Sequence, residues 1–209
     1  MKIVCIPVSL VDENVYLYYD ETSLEGVVID PGSDADVIIK EIENKNVAIK
    51  GILLTHGHYD HISAVSELKN YSNANIYACK QEAVVLENPD FNLSSRALPE
   101  SIRLKADVYL EDDDKIEFGN TSLTLIQTAG HTSGSSCFYS EENLVLFSGD
   151  TLFSGTVGRT DLPTSDTDTL LRSIREKLAV LPDGVTVYPG HGSHTTIARE
   201  KKYNPYFKK

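Results

Sequence analysis

The sequence predicts a mixed α/β protein in which two mixed β-sheets pack together with helices on the outside. Three observations carry that expectation. Strand-like runs alternate with helical spacing in both halves of the 209-residue chain. The run AIKGILLT, residues 48–55, is nearly continuous in apolar side chains, as a strand covered on both faces requires. The segment TDTLLRSIREKLAVL, residues 167–181, is amphipathic at the helical period, and such a helix must bury its apolar stripe against another layer.

Element by element, KIVCIPV, NVYLYYD and EGVVID read as strands rich in Val, Ile and Tyr, the last closed by PGS at 31–33. DADVIIKEIENK places Val37, Ile38 and Ile42 at helical spacing, with Ser33 or Asp34 available as N-cap. After AIKGILLT, HISAVSELKNYS reads as a helix, ANIYAC as a strand and KQEAVVLEN as another helix. From about Pro89 to Asp114 the pattern is less regular. EDDD at 111–114 reads as a solvated acidic turn, since no histidine lies nearby. TSLTLIQT, SSCFYS and NLVLFSGD are three further strands, the last again ending in an acidic residue. In the helix at 167–181, Leu170, Leu171, Ile174, Leu178 and Val180 form the apolar face, and GVTVYPGHG is a last short strand and turn. No repeat or low-complexity linker interrupts the chain, so residues 1–209 are expected to form one domain.

Nineteen basic residues stand against 31 acidic ones, a formal net charge of −12. That balance argues against a broad phosphate-binding surface and so against a nucleic-acid partner. Bound divalent metal would offset part of it. Cys5, Cys79 and Cys137 are odd in number, widely spaced and without a CxxC. They suggest neither a zinc ribbon nor a disulfide framework, but inert thiols in a reducing cytoplasm. The start MKIVCIPVSLVDENVYLYYD turns polar too quickly for a signal peptide, and no later apolar run approaches the ~20 residues that span a bilayer. A soluble, cytoplasmic protein is expected.

The six histidines are the informative residues. His56, His58 and His61 lie in THGHYDH, His131 in TAGHTSG, and His191 and His194 in YPGHGSH; Asp150 ends the strand NLVLFSG. Most follow a strand in a Gly-rich loop, where ligands from distant parts of a chain converge. His194 reads as a satisfied polar residue, with an N-cap or supporting role as the alternative. Imidazole and carboxylate without thiolate suit zinc, iron or manganese in an open site. Within HxHxDH, His56 and His58 can face one metal while Asp60 and His61 turn toward a second. Asp150 is suited to bridge the two, and His131 and His191 can complete one ion each.

At this point the chain resembles the metallo-β-lactamase superfamily: THGHYDH, GHTSG, FSGDTLF and PGHG occur in that family's order. The resemblance implies a four-layer αββα sandwich with a metal site at one edge of the two sheets. Within the family, SGDTLFSGTVGRTDLP followed by YPGHGSHTTIAREKKYNP looks like the short glyoxalase II-like hydrolases, without the C-terminal helical segment of the larger enzymes. The expected cofactor is two divalent metal ions, zinc first, with iron or manganese open. The expected reaction is attack of a metal-bridging hydroxide on a small-molecule thioester of the S-lactoylglutathione type. Asp150 would hold the ions together and Asp60 would orient the nucleophile. No GxSxG elbow occurs, so Ser133 and Ser135 are read as loop residues.

Arg159 follows Gly158, as a substrate-contacting basic residue does in glyoxalase II enzymes, whereas Asp161 stands where those enzymes often have tyrosine. Two readings therefore stand side by side: a substrate contact for Arg159, or a turn in which Arg159 pairs with Asp161. The rival activities are a persulfide dioxygenase with one iron on His56, His131 and Asp150, a lactonase, and a metal-binding module without turnover.

Overall fold

The computed structural model describes residues 1–207. Its first sheet holds β1 (Lys2–Pro7), β2 (Asn14–Tyr19), β3 (Glu25–Ile29), β4 (Ala48–Leu54), β5 (Asn75–Cys79) and β6 (Val108–Leu110) in sequential order. The first three pair antiparallel and the last three join in parallel. The second half supplies β7 (Lys115–Phe118), β8 (Thr121–Gln127), β9 (Ser136–Ser140) and β10 (Val145–Gly149), then a small hairpin of β11 (Leu152–Phe153) and β12 (Thr156–Val157). With β13 (Thr186–Pro189) and β14 (Thr195–Thr196) they make a sheet ordered β14-β13-β10-β9-β8-β7.

Period-two alternation explains why these strands stack as layers. Along β4, Leu53 points into the core between the sheets while Ile52 and Leu54 point the other way. Along β9 and β10, Phe138 and Phe147 enter the same central core, while Cys137, Tyr139 and Leu146 face outward. The outer face of the first sheet is covered by α1 (Ala35–Lys45), through Ile38 and Ile42, and by α3 (Val65–Ser72), through Val65 and Leu68. The outer face of the second is covered by α6 (Thr167–Ser173), which continues as a π-helical turn at Ile174–Leu178, and by α7 (Ile197–Tyr203). Between these in chain order lie the single turns α2 (Tyr59–Ile62), α4 (Ala83–Leu86) and α5 (Ser94–Ala97). The result is the expected αββα sandwich.

Several local expectations need correction. The helix expected over 61–72 is two pieces, α2 and α3, because Ala64 N–H donates to Pro31 C=O and Ser63 Oγ returns to Tyr59 C=O. Asp34 occupies the N-cap position of α1 but does not cap it: its carboxylate accepts from Ser9 N–H and Ser9 Oγ, while Ser33 Oγ accepts from Leu10 N–H. Val37 and Val180, counted as apolar-face residues, are 46% and 71% exposed. The irregular stretch 89–114 contains α5 and the edge strand β6. The EDDD turn is solvated as expected, with Glu111 paired to Lys80 and Asp112 to Lys177. Among the described residues no helix is long and apolar enough to cross a membrane.

The topology gathers strand ends at one edge. Strands β3, β4 and β5 are parallel, so Asp30, Thr55 and Lys80, which follow them, emerge together. Strands β8 and β10 both run antiparallel to β9, hence in the same direction, and β13 is parallel to β10. Loops after parallel strand ends are where α/β folds build their sites.

Candidate metal centre

Every residue expected to bind metal converges on that edge. One nitrogen each of His56, His58 and His131 lie within 4.8 Å of one another, as do the corresponding atoms of Asp60, His61 and His191. Asp150 stands between the two groups. Its Oδ1 is 3.4 Å from His61 Nε2 and 3.7 Å from His191 Nε2, and its Oδ2 is 3.7 Å from His131 Nε2. Asp60 Oδ2 lies 3.3 Å from His191 Nε2 and 3.8 Å from His61 Nε2. His194 stays outside: it is exposed, its ring stacked on Tyr188 with centroids 6.1 Å apart. Nor does it cap α7, because Thr196 does so by accepting from Arg199 N–H.

Hydrogen bonds behind the rings decide which nitrogens face inward. His131 Nδ1 donates to the carbonyl of Arg159 at 2.8 Å, leaving the Nε2 lone pair facing His58 Nδ1 at 3.0 Å, with Asp150 Oδ2 3.7 Å away. His61 Nδ1 donates to Asp30 Oδ2 at 3.1 Å. Thr55 Oγ1 spends its one proton on Asp30 Oδ2, 2.5 Å away, so it must accept from His56 Nδ1 at 3.1 Å. Asp30 thus fixes the tautomers of two rings from one carboxylate oxygen, while its Oδ1 accepts Thr55 N–H at 2.7 Å. This is the support that metal-binding histidines need. Asp30 was not singled out from the sequence, although it ends a strand as Asp150 does.

The inward atoms fit cations. His56 Nε2, His61 Nε2 and Asp150 Oδ1 are buried without a hydrogen-bond partner among the described residues, and His58 turns its Nδ1 to within 3.0 Å of His131 Nε2. Stranding even one such atom costs about 1–3 kcal/mol, so a cluster of them is a donor set awaiting positive charge. Burial pushes His56 well down and His58 to about 3, which keeps both rings neutral and able to coordinate. Burial alone would raise Asp150, but His61, His131 and His191 outweigh it and hold the carboxyl far below its ordinary range. For His61 the balance is reversed: burial lowers it, while Asp150 and Asp60 raise it well above the usual imidazole value.

A cavity of about 250 Å³ opens over the centre, with His58, Asp60, His131, Asp150 and His191 in its floor and Val11, Tyr59, Leu93, Leu162 and Arg159 around them. Val11 and Leu93 reach it from left-handed backbone, φ 57° and 67°, which non-glycine residues hold only when their surroundings impose it. Arg159 forms the two-point pair with Asp161 that one sequence reading expected, at 2.6 and 2.8 Å, and also lines this cavity. Its carbonyl, which orients His131, was not foreseen.

Residues 9–191 match the family described as the metallo-beta-lactamase superfamily. The chain is 35% identical to the hydroxyacylglutathione hydrolase GloC of Haemophilus influenzae, over 99% of this chain and 98% of that protein. The crystal structure of the B3 metallo-beta-lactamase BLEG-1 superposes with a TM-score of 0.93 at 36% identity, covering 100% of both chains. A di-iron-bound form of TTHA1623 gives a TM-score of 0.85 at 33% identity, over 97% of this chain and 99% of that one. Family match, fold and inward-facing donor set agree: the chain belongs to the metallo-β-lactamase superfamily and is one of its metal-dependent hydrolases.

Proposed function

We propose that the chain hydrolyses a small-molecule thioester of the S-lactoylglutathione type at a two-ion centre. The observation that carries this reading is the placement of Asp150, one carboxylate oxygen toward His61 and His191 and the other toward His131, beneath an open cavity. His56, His58 and His131 would hold one ion, Asp60, His61 and His191 the other, and Asp150 would serve both. The donors suit zinc first, with iron or manganese also accommodated. Such ions, when bound, bring the pKa of water toward ~7 and polarise a carbonyl.

The chain's own groups do the rest. Burial alone would raise Asp60, but His61 and the bond to His191 hold its carboxyl below the ordinary range, so it remains an acceptor that can orient attacking water. Val11, Leu93 and Leu162 offer apolar surface to the acyl group. Arg159, at the rim, presents a cation to a carboxylate on the thiol. Its pair with Asp161 is exposed on both sides and weakly held, so a substrate carboxylate can take Asp161's place. The thioester class is supported by the 35% identity to a hydroxyacylglutathione hydrolase across nearly the full length of both proteins.

The test is a panel: S-lactoylglutathione, other acyl thioesters, a lactone, a β-lactam, and oxygen uptake with a persulfide. Turnover highest on the thioesters is the expected result. Oxygen consumption by a one-iron protein would replace hydrolysis with persulfide oxidation. A preference for the β-lactam would place the chain's activity with that of BLEG-1.

A further inference from the structure

Glu82 has no place in the ligand set, yet it is fully buried in the turn that follows β5. Its Oε1 accepts the N–H of Gly57 at 2.7 Å, in the residue between His56 and His58. Its Oε2 accepts the N–H of Gly134 and the hydroxyl of Thr132, both at 2.8 Å, in the loop that begins at His131. Thr132 is itself held by Ser135, whose Oγ accepts Thr132 N–H at 2.9 Å. One carboxylate therefore ties together the two loops that carry His56, His58 and His131. We propose that Glu82 is a positioning residue for the ion held by these three histidines, setting the distance between their loops. The proposal rests on the ligand assignment made above.

The sequence around Glu82 is shaped to admit it. A Cβ at position 134 would lie 2.2 Å from the backbone nitrogen of Glu82, and one at position 57 would lie 3.2 Å from its Oε1 and 3.0 Å from Leu86. At 134 only glycine fits against that backbone, and at 57 any larger residue would have to push these side chains back by a few tenths of an ångström. The chemistry also calls for a carboxylate. Three donors converge on it, and an amide would turn its own N–H groups against at least one of them. Burying a charge in place of an apolar side chain is unfavourable unless such donors compensate it. The other ion's ligands, Asp60, His61 and His191, make no hydrogen bond to Glu82. Loss of Glu82 is therefore expected to separate the two ions, whereas a general scaffold residue would affect both alike.

The experiment compares the full chain with Glu82→Gln, Thr132→Val and His131→Ala, each loaded with zinc and titrated with a chelator, with ions per chain counted by elemental analysis. Cobalt(II) absorption then identifies the ion that remains. Glu82→Gln should bind one ion about 10–100-fold more weakly, leave the other within about threefold, and give the residual cobalt spectrum of His131→Ala. Thr132→Val, which removes one of the three donors, should weaken the same ion by less. Two ions retained as in the unaltered chain, or both weakened equally, would overturn the proposal. If Glu82→Gln does not fold, unchanged metal binding in Thr132→Val overturns it. If His131→Ala keeps both ions, the ligand assignment itself fails, a result distinct from His131→Ala losing one ion while Glu82→Gln loses none.

Discussion

Replacing Asp30 with asparagine is expected to disarm both halves of the metal centre without touching a ligand. Asp30 Oδ1 accepts Thr55 N–H, so the amide oxygen must take that place; the opposite orientation would set N–H against N–H. The amide nitrogen then replaces Oδ2, which now receives protons from Thr55 Oγ1 and His61 Nδ1. Facing a donor, His61 must turn Nδ1 into an acceptor and move its proton to Nε2. Thr55 must likewise accept from the amide and give its proton to His56 Nδ1, which sends the His56 proton to Nε2 as well. One ring in each group of three would then present N–H where it should present a lone pair. Lost support of this kind costs about 10–100-fold in affinity, or about 1.4–2.7 kcal/mol per ion, and about 3–5 kcal/mol for two. In a chain of this size that lowers the Tm of the metal-loaded protein by about 6–20 °C. In the metal-free protein, where neighbouring carboxylates raise His61 well above the usual imidazole value, the change also takes one carboxylate from that ring, so its Tm should fall too, but by less than that of the metal-loaded form. Chelator titration and thermal melts of both forms make the assay. Zinc affinity within about threefold of the unaltered chain, or an equally large shift in the metal-free melt, would refute the tautomer reasoning.

Three other expectations follow from the same geometry. Asp150→Ala should abolish turnover and lower metal content, measured on one preparation; full activity with both ions retained would remove Asp150 from its position between them. Arg159→Ala should raise KM for a thioester carrying a carboxylate and leave metal content unchanged; an unaltered KM would leave only the pair with Asp161. In the metal-free protein, His58 titrates near 3 when folded and near 6.5 when unfolded. The unfolded chain therefore binds the extra proton between those values, and this residue's contribution to stability falls as pH drops through that window. The slope is at most about 1.4 kcal/mol per pH unit. Denaturant melts of His58→Asn should lose that slope relative to the unaltered chain, and identical pH profiles would contradict it.

The ligands were legible because chemistry restricts their identity. Few residue types can coordinate these ions, and THGHYDH, GHTSG and PGHG set them where strands end. Their supports were not legible for the opposite reason. Asp30 ends EGVVID and Glu82 sits in KQEAVVLEN as ordinary acidic residues. Their roles appear only when β3, β4 and β5 align in parallel and bring their ends beside Thr55 and Gly57. The fold was legible where apolar and aromatic runs were strong, as in β2 and β4. It was lost at β6, three residues long, and at β7, where KIEF alternates exposed and buried positions over only four. Helical spacing likewise overstated burial at Val37 and Val180, because periodicity assigns a face but not where the opposing layer ends.

Two ions sharing Asp150 would appear in elemental analysis of metal per chain on protein purified with neither added metal nor chelator. Close to two ions of zinc, iron or manganese is the predicted result. Close to one ion, all of it iron, would contradict the two-ion centre and redirect attention to oxidation of a persulfide.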